Sequence, residues 1–324
     1  MKSFEWVQPE SVAEATAALA HPGAMALAGG VDLLDRLKER VDAPSRLVSL
    51  RRLPLAEIVE ADGETAIGAR VTLAQIAADP KLARSHRILA DAASHAATPQ
   101  VRAMATLGGN LAQRPRCWYF RSEAFSCKKN GGATCFAHAG DNQLHAIFGN
   151  ATCAATHPST LATALVALGA RVAIAGKASR TVDLHGFFLA PEKDLAREVD
   201  LAPGELITHV VVPKLPATVK TAYTKQVAKQ SFDWPIVDVA VALRMDGGTC
   251  KEAKVVLGAV APTPRRATEA ERVLTGAAVD VITAGRAAKA AVTGATPLAH
   301  NDHKVAILEV VVARTILAAI GKAV

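Results

Sequence analysis

The chain has 324 residues, half of them apolar and 21% charged, and its formal net charge is +7. That balance excludes a disordered chain and leaves room for two or three domains with their own hydrophobic cores. The lysines and arginines are scattered rather than interleaved with aromatics, which argues against a nucleic-acid partner, and no stretch approaches the ~18–20 apolar residues of a membrane span.

The opening Met1–Trp6 lacks the apolar run of a secretory signal, so the chain is expected to be soluble and cytoplasmic by its own sequence. A periplasmic home would require a partner subunit that carries the export signal. Ser11-Val12-Ala13-Glu14 reads as a capping box ahead of a helix from Val12 to Ala20. Ala24–Ala28 reads as a buried strand running into Gly29-Gly30, Asp32–Arg40 as a helix and Arg46–Leu50 as a strand. Ile58–Ala61, the Asp62-Gly63 turn and Thr65–Gly68 predict a hairpin, because that pair tolerates positive φ. Helices follow from Thr72 to Ala78 and from Ile88 to Ala96. From Arg114 to about Asn150 the Ala/Leu/Val texture gives way to Cys, Gly, Asn, His and aromatics, the mark of a long functional loop. Regular structure resumes with a helix at Thr160–Leu168 and strands at Arg171–Ala175 and Leu206–Val212. A boundary is expected near Pro216–Thr221. Beyond it come strands at Ala222–Val227, Ile236–Met245 and Lys254–Val260, then helices at Ala267–Leu274, Val279–Ala291 and Lys304–Ile320.

Two Gly-Gly steps stand out. In Ala28-Gly29-Gly30-Val31-Asp32-Leu33 a strand, two glycines and a helix start gather free backbone N–H groups that suit a phosphate. Thr106-Leu107-Gly108-Gly109-Asn110 is a second such step, where glycine lets a ligand approach the backbone. With Thr156-His157-Pro158-Ser159 they suggest several loops converging on one large anionic cofactor. Neither matches the dinucleotide fingerprint or the P-loop, and a plain structural turn explains each in isolation.

Four of the five cysteines, Cys117, Cys127, Cys135 and Cys153, fall in one short window, with nine, seven and seventeen residues between them. A zinc knuckle would bring Cys-x-x-Cys pairs, which are absent, and a disulfide does not suit a cytoplasmic chain. Four thiolates suffice for an iron–sulfur cluster. The spacing itself leaves cluster, zinc and unrelated buried thiols open. His138, His145 and His157 could replace a ligand or line an electron path, and an ordinary hydrogen-bonded role is the simpler reading of each. Cys250 stands alone and reads as a small buried residue.

In their order, Ala28–Leu34, Thr106–Leu111, His157-Pro158-Ser159 and Pro262-Thr263-Pro264-Arg265 resemble the FAD-binding subunits of molybdenum hydroxylases of the xanthine dehydrogenase family. The cysteine segment, with Cys117-Trp118-Tyr119-Phe120-Arg121 and His145–Asn150, is similar to the subgroup that also holds a 4Fe–4S cluster. Periplasmic aldehyde oxidoreductase and 4-hydroxybenzoyl-CoA reductase flavin subunits belong there. The resemblance implies an α+β fold of the vanillyl-alcohol-oxidase-like FAD-binding type. Two α/β subdomains, at 1–55 and 56–215 with the iron–sulfur insert at about 114–154, would precede a C-terminal α+β domain at 216–324. It also implies FAD contacts from Ala28, Gly29, Gly30, Val31, Asp32 and Leu33, and from Thr106, Gly108, Gly109 and Asn110. Ser159, Thr160, Leu206, Ile207 and either Lys225 or Lys229 would complete the set. Thr160 stands where the family often has Asp, and Val31 where Thr is common. Cluster ligands would be Cys117, Cys127, Cys135 and Cys153. The function implied is electron transfer between FAD and an external acceptor. The partners would be a molybdenum-cofactor large subunit and a small subunit with 2Fe–2S clusters, and no catalytic residue is assigned. A self-sufficient FAD oxidoreductase and a zinc-stabilised binding module are the alternatives.

Overall fold

The computed structural model describes residues 2–229 and 232–322, so the outermost residues of the first and last expected domains lie outside the described range. Its strands are β1 (Glu5–Val7), β2 (Ala24–Leu27), β3 (Arg46–Ser49), β4 (Ile58–Ala61), β5 (Glu64–Gly68), β6 (Arg171–Ala175), β7 (Arg180–Asp183), β8 (Leu206–Pro213), β9 (Val219–Gln226), β10 (Val237–Asp246), β11 (Thr249–Gly258) and β12 (Arg265–Arg266). They form a parallel sheet in the order β1-β3-β2, an antiparallel sheet β4-β5-β8-β6-β7 and an antiparallel sheet β12-β11-β10-β9.

Local chemistry accounts for most of these elements. Ser11 accepts the Glu14 amide at 3.2 Å and starts the helix Val12–Leu19, but the Glu14 carboxylate takes the amide of Glu10 rather than that of Ser11. The expected reciprocal box is therefore shifted by one residue. A complete box forms instead at Thr72 and Gln75, ahead of the helix Leu73–Ala78. Asp62 and Gly63 both take positive φ, at 51° and 77°, and turn β4 tightly into β5. Two elements depart from expectation. Val219 already lies in β9, so the boundary region near Pro216–Thr221 is half strand. The Thr106 step is the cap of a short helix, Leu107–Leu111, rather than an open turn.

The helix Thr160–Ala167 is buried along its whole length. It packs on β10 and β11 on one side and on the helix Arg87–Ser94 on the other. An all-apolar or small-residue helix is stable only in such a setting. One core joins the second sheet to this helix and reaches Ala240 and Val256 of the third sheet. A second core lies between the third sheet and the helices Thr268–Leu274, Val281–Ala291 and His303–Ala319, and takes in Ile147 and Phe148 from the irregular segment. Among the described residues no helix is long and apolar enough to cross a membrane.

Candidate functional site

The end of β2 delivers the first Gly-Gly step. Gly30 takes φ +76°, and a Cβ on Gly29 would overlap the Met104 carbonyl oxygen, so both positions need glycine. The second step packs as closely: Gly108 donates its amide to Ala69 O at 2.9 Å. The Thr106 hydroxyl accepts from the Gly109 amide at 3.3 Å. A cavity of about 730 Å³ opens between these turns, the start of β8 and the end of β9. That is within the ~300–1,000 Å³ typical of cofactor clefts.

Every residue of Ala28–Leu33 lines it, as do Thr106, Gly108, Gly109, Asn110, Thr160, Leu206, Ile207 and Lys225. Ser159 stands one layer back. Its hydroxyl donates to Asn110 Oδ1 at 2.5 Å and accepts the Ala162 amide, capping the buried helix. Lys229 is exposed and off the cavity wall, whereas Lys225 is on it and donates to His95 O at 2.9 Å. Burial lowers the Lys225 pKa, while Asp238 and Asp233 oppose the shift. Arg36, Arg70, Arg116 and Arg121 add cationic groups, and Leu50, Leu55 and Leu73 supply an apolar wall. Side-chain-free backbone at two turns, several cations and an apolar flank fit an extended anionic dinucleotide.

Sequence reasoning missed how Asp32 is used. Burial alone would raise its pKa, yet Arg116, Arg36 and Arg121 hold it below the usual carboxylate value. Its carboxylate pairs with Arg116, with Arg36 at 3.1 Å and with Arg121 at 2.7 Å, and it accepts the Arg114 amide at 3.1 Å. Three of these four partners open the cysteine segment, so Asp32 ties the first glycine turn to that segment. Glu198 makes the next clamp, with Arg114 at 3.0 Å and Lys129 at 2.7 Å. Lys304, fully buried, donates to Ala259 O, His145 O and Leu144 O at 2.6, 3.0 and 3.2 Å. Burial drives its pKa down to about 7 against the pull of Asp238.

Within the segment, Cys117, Cys127, Cys135 and Cys153 line one small cavity, walled by Tyr119, Phe120 and Phe136. Burial raises the Cys117 thiol to about 11. Cys135 and Cys153 hydrogen-bond to each other, which draws Cys135 down and pushes Cys153 up. Among the described residues no three His, Cys, Asp or Glu side chains are placed to hold a single metal ion. Four thiols around one cavity are a donor set that could hold an iron–sulfur cluster or a zinc ion. His138 is spent on Asn150 O at 2.8 Å. His145 Nε2 lies 3.2 Å from Cys117 Sγ. Burial lowers its pKa to about 4, and burial lowers that of His157 to about 3. Trp118, edge-on to His145 with centroids 4.8 Å apart, reaches the large cavity from the residue next to Cys117. Its position beside a cysteine was the one sequence signal for it. Cys250 is buried in the C-terminal core, its thiol facing Glu252 O at 3.3 Å.

Residues 2–215 match the family model described as the FAD binding domain in molybdopterin dehydrogenase, and residues 222–319 match the CO dehydrogenase flavoprotein C-terminal domain. The chain is 36% identical to the aldehyde oxidoreductase FAD-binding subunit of Escherichia coli K12, over 84% of this chain and 86% of that one. It is 28% identical to the carbon monoxide dehydrogenase medium chain of Hydrogenophaga pseudoflava, over 98% and 96% of the two chains. Among solved structures, carbon monoxide dehydrogenase from that organism superposes with a TM-score of 0.78 at 29% identity, covering 99% and 98%. Quinoline 2-oxidoreductase from Pseudomonas putida 86 superposes with a TM-score of 0.77 at 29% identity, covering 99% of each chain.

Proposed function

The chain belongs to the FAD-binding subunits of molybdopterin dehydrogenases, and from that premise we propose that it is the electron-transfer subunit of an aldehyde oxidoreductase or xanthine dehydrogenase type complex, with a 4Fe–4S cluster beside its FAD. Its partners are then a large subunit with the molybdenum cofactor and a small subunit with 2Fe–2S clusters. Bound FAD supplies the step between the one-electron clusters and an external acceptor, and the protein supplies position and environment. In this reading Ala28–Leu33 and Thr106–Asn110 hold the pyrophosphate by backbone approach. Ser159 orients Asn110, Thr160 lines the same wall, Leu206 and Ile207 present an apolar edge, and Lys225 brings a positive charge to the cavity. Organic substrate is oxidised in the partner, and this chain needs no acid–base pair of its own.

The observation that supports the second redox centre is the convergence of all four clustered cysteines on one cavity. Cys117, Cys127, Cys135 and Cys153 hold the cluster in this reading. The test is an anaerobic absorption spectrum of the purified full chain, with iron, sulfide, zinc and FAD analysis. The expected result is a flavin spectrum over a broad iron–sulfur shoulder, with about four irons per FAD. Zinc in place of iron makes the segment structural and removes the cluster. Absence of both FAD and iron, with no uptake on reconstitution, overturns the reading.

A further inference from the structure

Six consecutive residues, Arg116 to Arg121, are divided between the two cavities. Arg116, Trp118 and Arg121 line the large one, and Cys117, Tyr119 and Phe120 line the one that holds the four thiols. The Arg121 amide donates to Cys117 O at 3.0 Å and closes the strip into a single turn. In such a turn residues three apart are neighbours on one face. Cys117 and Phe120 share one face, and Trp118 and Arg121 share another. One turn of backbone is therefore the common wall of both cavities. A third cavity, of about 50 Å³, is lined by Cys117 and Trp118 alike.

The two faces of this wall are held very differently. On the cofactor side Arg116 and Arg121 both pair with Asp32 of the first glycine turn, Arg121 at 2.7 Å. Trp118 stands edge-on to His145, with ring centroids 4.8 Å apart. On the thiol side the Asn130 side chain donates to Phe120 O at 2.9 Å and so ties the wall to the turn that follows Cys127. A group bonded to Cys117 and to the other three cysteines would add a covalent tether at the middle of the wall.

We infer that Arg116–Arg121 couples the two sites: a metal group held by Cys117 with Cys127, Cys135 and Cys153 pins the turn from one face and so fixes Trp118 and Arg121 as FAD-binding side chains on the other. The inference rests on the reading that the four cysteines hold a metal group, iron–sulfur or zinc alike. Trp118 offers the dinucleotide apolar ring surface, and Arg121 offers it positive charge. Side chains placed before the ligand arrives need not be ordered by it, which strengthens binding. Coupling of this kind changes affinity by a factor of about 5–150. The reciprocal effect of FAD on the metal group is the same factor, small beside the affinity of a four-thiolate site.

The experiment titrates FAD into deflavinated full chain, metal-loaded and metal-free, for wild type and Trp118→Ala, followed by flavin fluorescence. Metal content and circular dichroism are measured on every sample. The wild-type Kd for FAD rises at least about fivefold when the metal is removed. Loaded Trp118→Ala binds FAD more weakly than loaded wild type, and its ratio of metal-free to loaded Kd falls toward one. Loss of a side chain with no part in the coupling leaves that ratio unchanged. Equal wild-type affinities with and without metal overturn the inference. Tryptophan emission gives a readout that needs no metal-free protein, should that form unfold. FAD quenches the Trp118 share of the emission in loaded wild type, so the quench is smaller in loaded Trp118→Phe. The same absolute quench in both proteins overturns the contact and the inference with it. A chain that takes up neither iron nor zinc fails the reading of the cysteines as ligands, and the metal analysis separates that failure from equal affinities at full loading.

Discussion

The glycine cradle and the cysteine segment lie side by side and are built on opposite plans. The cradle is shaped by backbone. Gly30 sits at positive φ, Thr106 caps the amide three residues on, and Ser159 does the same for its own helix. Each instruction is read within a few residues. The cysteine segment has only two short 3₁₀ turns of its own, at Lys128–Asn130 and Phe136–His138. Its course is set by polar side chains from far along the chain. Asp32 reaches it across 82 to 89 residues. Lys304, Asn301 and Thr296 hold its second half from the C-terminal helices and the loop before them. A backbone-coded site can form as soon as its own elements do. A clamped segment waits for two other parts of the molecule, as its extra long-range closure requires.

Asp32 belongs to both regions, so its removal is the largest break. In Asp32→Asn the guanidiniums of Arg36, Arg116 and Arg121 lose their shared counter-ion in a mostly buried site. Breaking such a pair from one side costs about 3–5 kcal/mol. The expected outcome is a destabilisation of that order in urea unfolding, with loss of FAD and, on the proposed cluster reading, of iron together with it. Retention of both cofactors at wild-type stoichiometry would show that the two regions are not coupled through this carboxylate.

Gly29→Ala separates the regions instead. The added methyl meets the Met104 carbonyl, a backbone atom that cannot swing aside. Overpacking of this kind costs about 1–3 kcal/mol. If that strain falls on the binding-competent cradle, FAD affinity drops about tenfold or more. On the proposed cluster reading iron content should hold, because the four cysteines and their clamps are untouched. Fluorescence titration of FAD into deflavinated protein measures the affinity. A variant that binds FAD as tightly as wild type removes the close approach as the feature that shapes the cradle.

The same contrast explains what could be read in advance. The strand–Gly-Gly–helix order, the Asp62-Gly63 hairpin and the Thr160 helix follow from local propensity, and all three are present. The four cysteines announced themselves by clustering. Asp32 was expected at the cofactor and does line that cavity, but its ionic partners were invisible because charge pairing across 80 residues leaves no periodic trace. Lys225 and Lys229 could not be told apart from sequence. The end of β9 separates them, since Lys225 is the last inward position after Tyr223 and Lys229 lies beyond the strand. Lys304 was legible only as the start of the last helix, and the packing of that helix against Leu144 and His145 is what buries it.

Lys304 gives the smallest and most specific effect, confined to the clamp on the cysteine segment. Its folded pKa of about 7 lies below the ordinary lysine value of 10.5, through burial opposed by Asp238. Between those two values the unfolded chain holds a proton that the folded chain lacks. Stability therefore rises with pH across that window and is lost again as pH falls through about 7, with a slope of at most about 1.4 kcal/mol per pH unit from this group. Lys304→Met abolishes that contribution. It also leaves the carbonyls of Leu144, His145 and Ala259 without a lysine donor, a loss of about 1–2 kcal/mol beyond pH 9, where the wild-type amine is neutral and keeps two N–H groups to share among them. Near pH 7 the loss is smaller, because the variant no longer holds a charge in an apolar site. The difference in unfolding free energy between wild type and variant should thus grow from pH 7 to pH 9. A difference that stays flat means that Lys304 carries its proton throughout, and that the clamp is a buried ammonium on its carbonyls rather than a neutral amine.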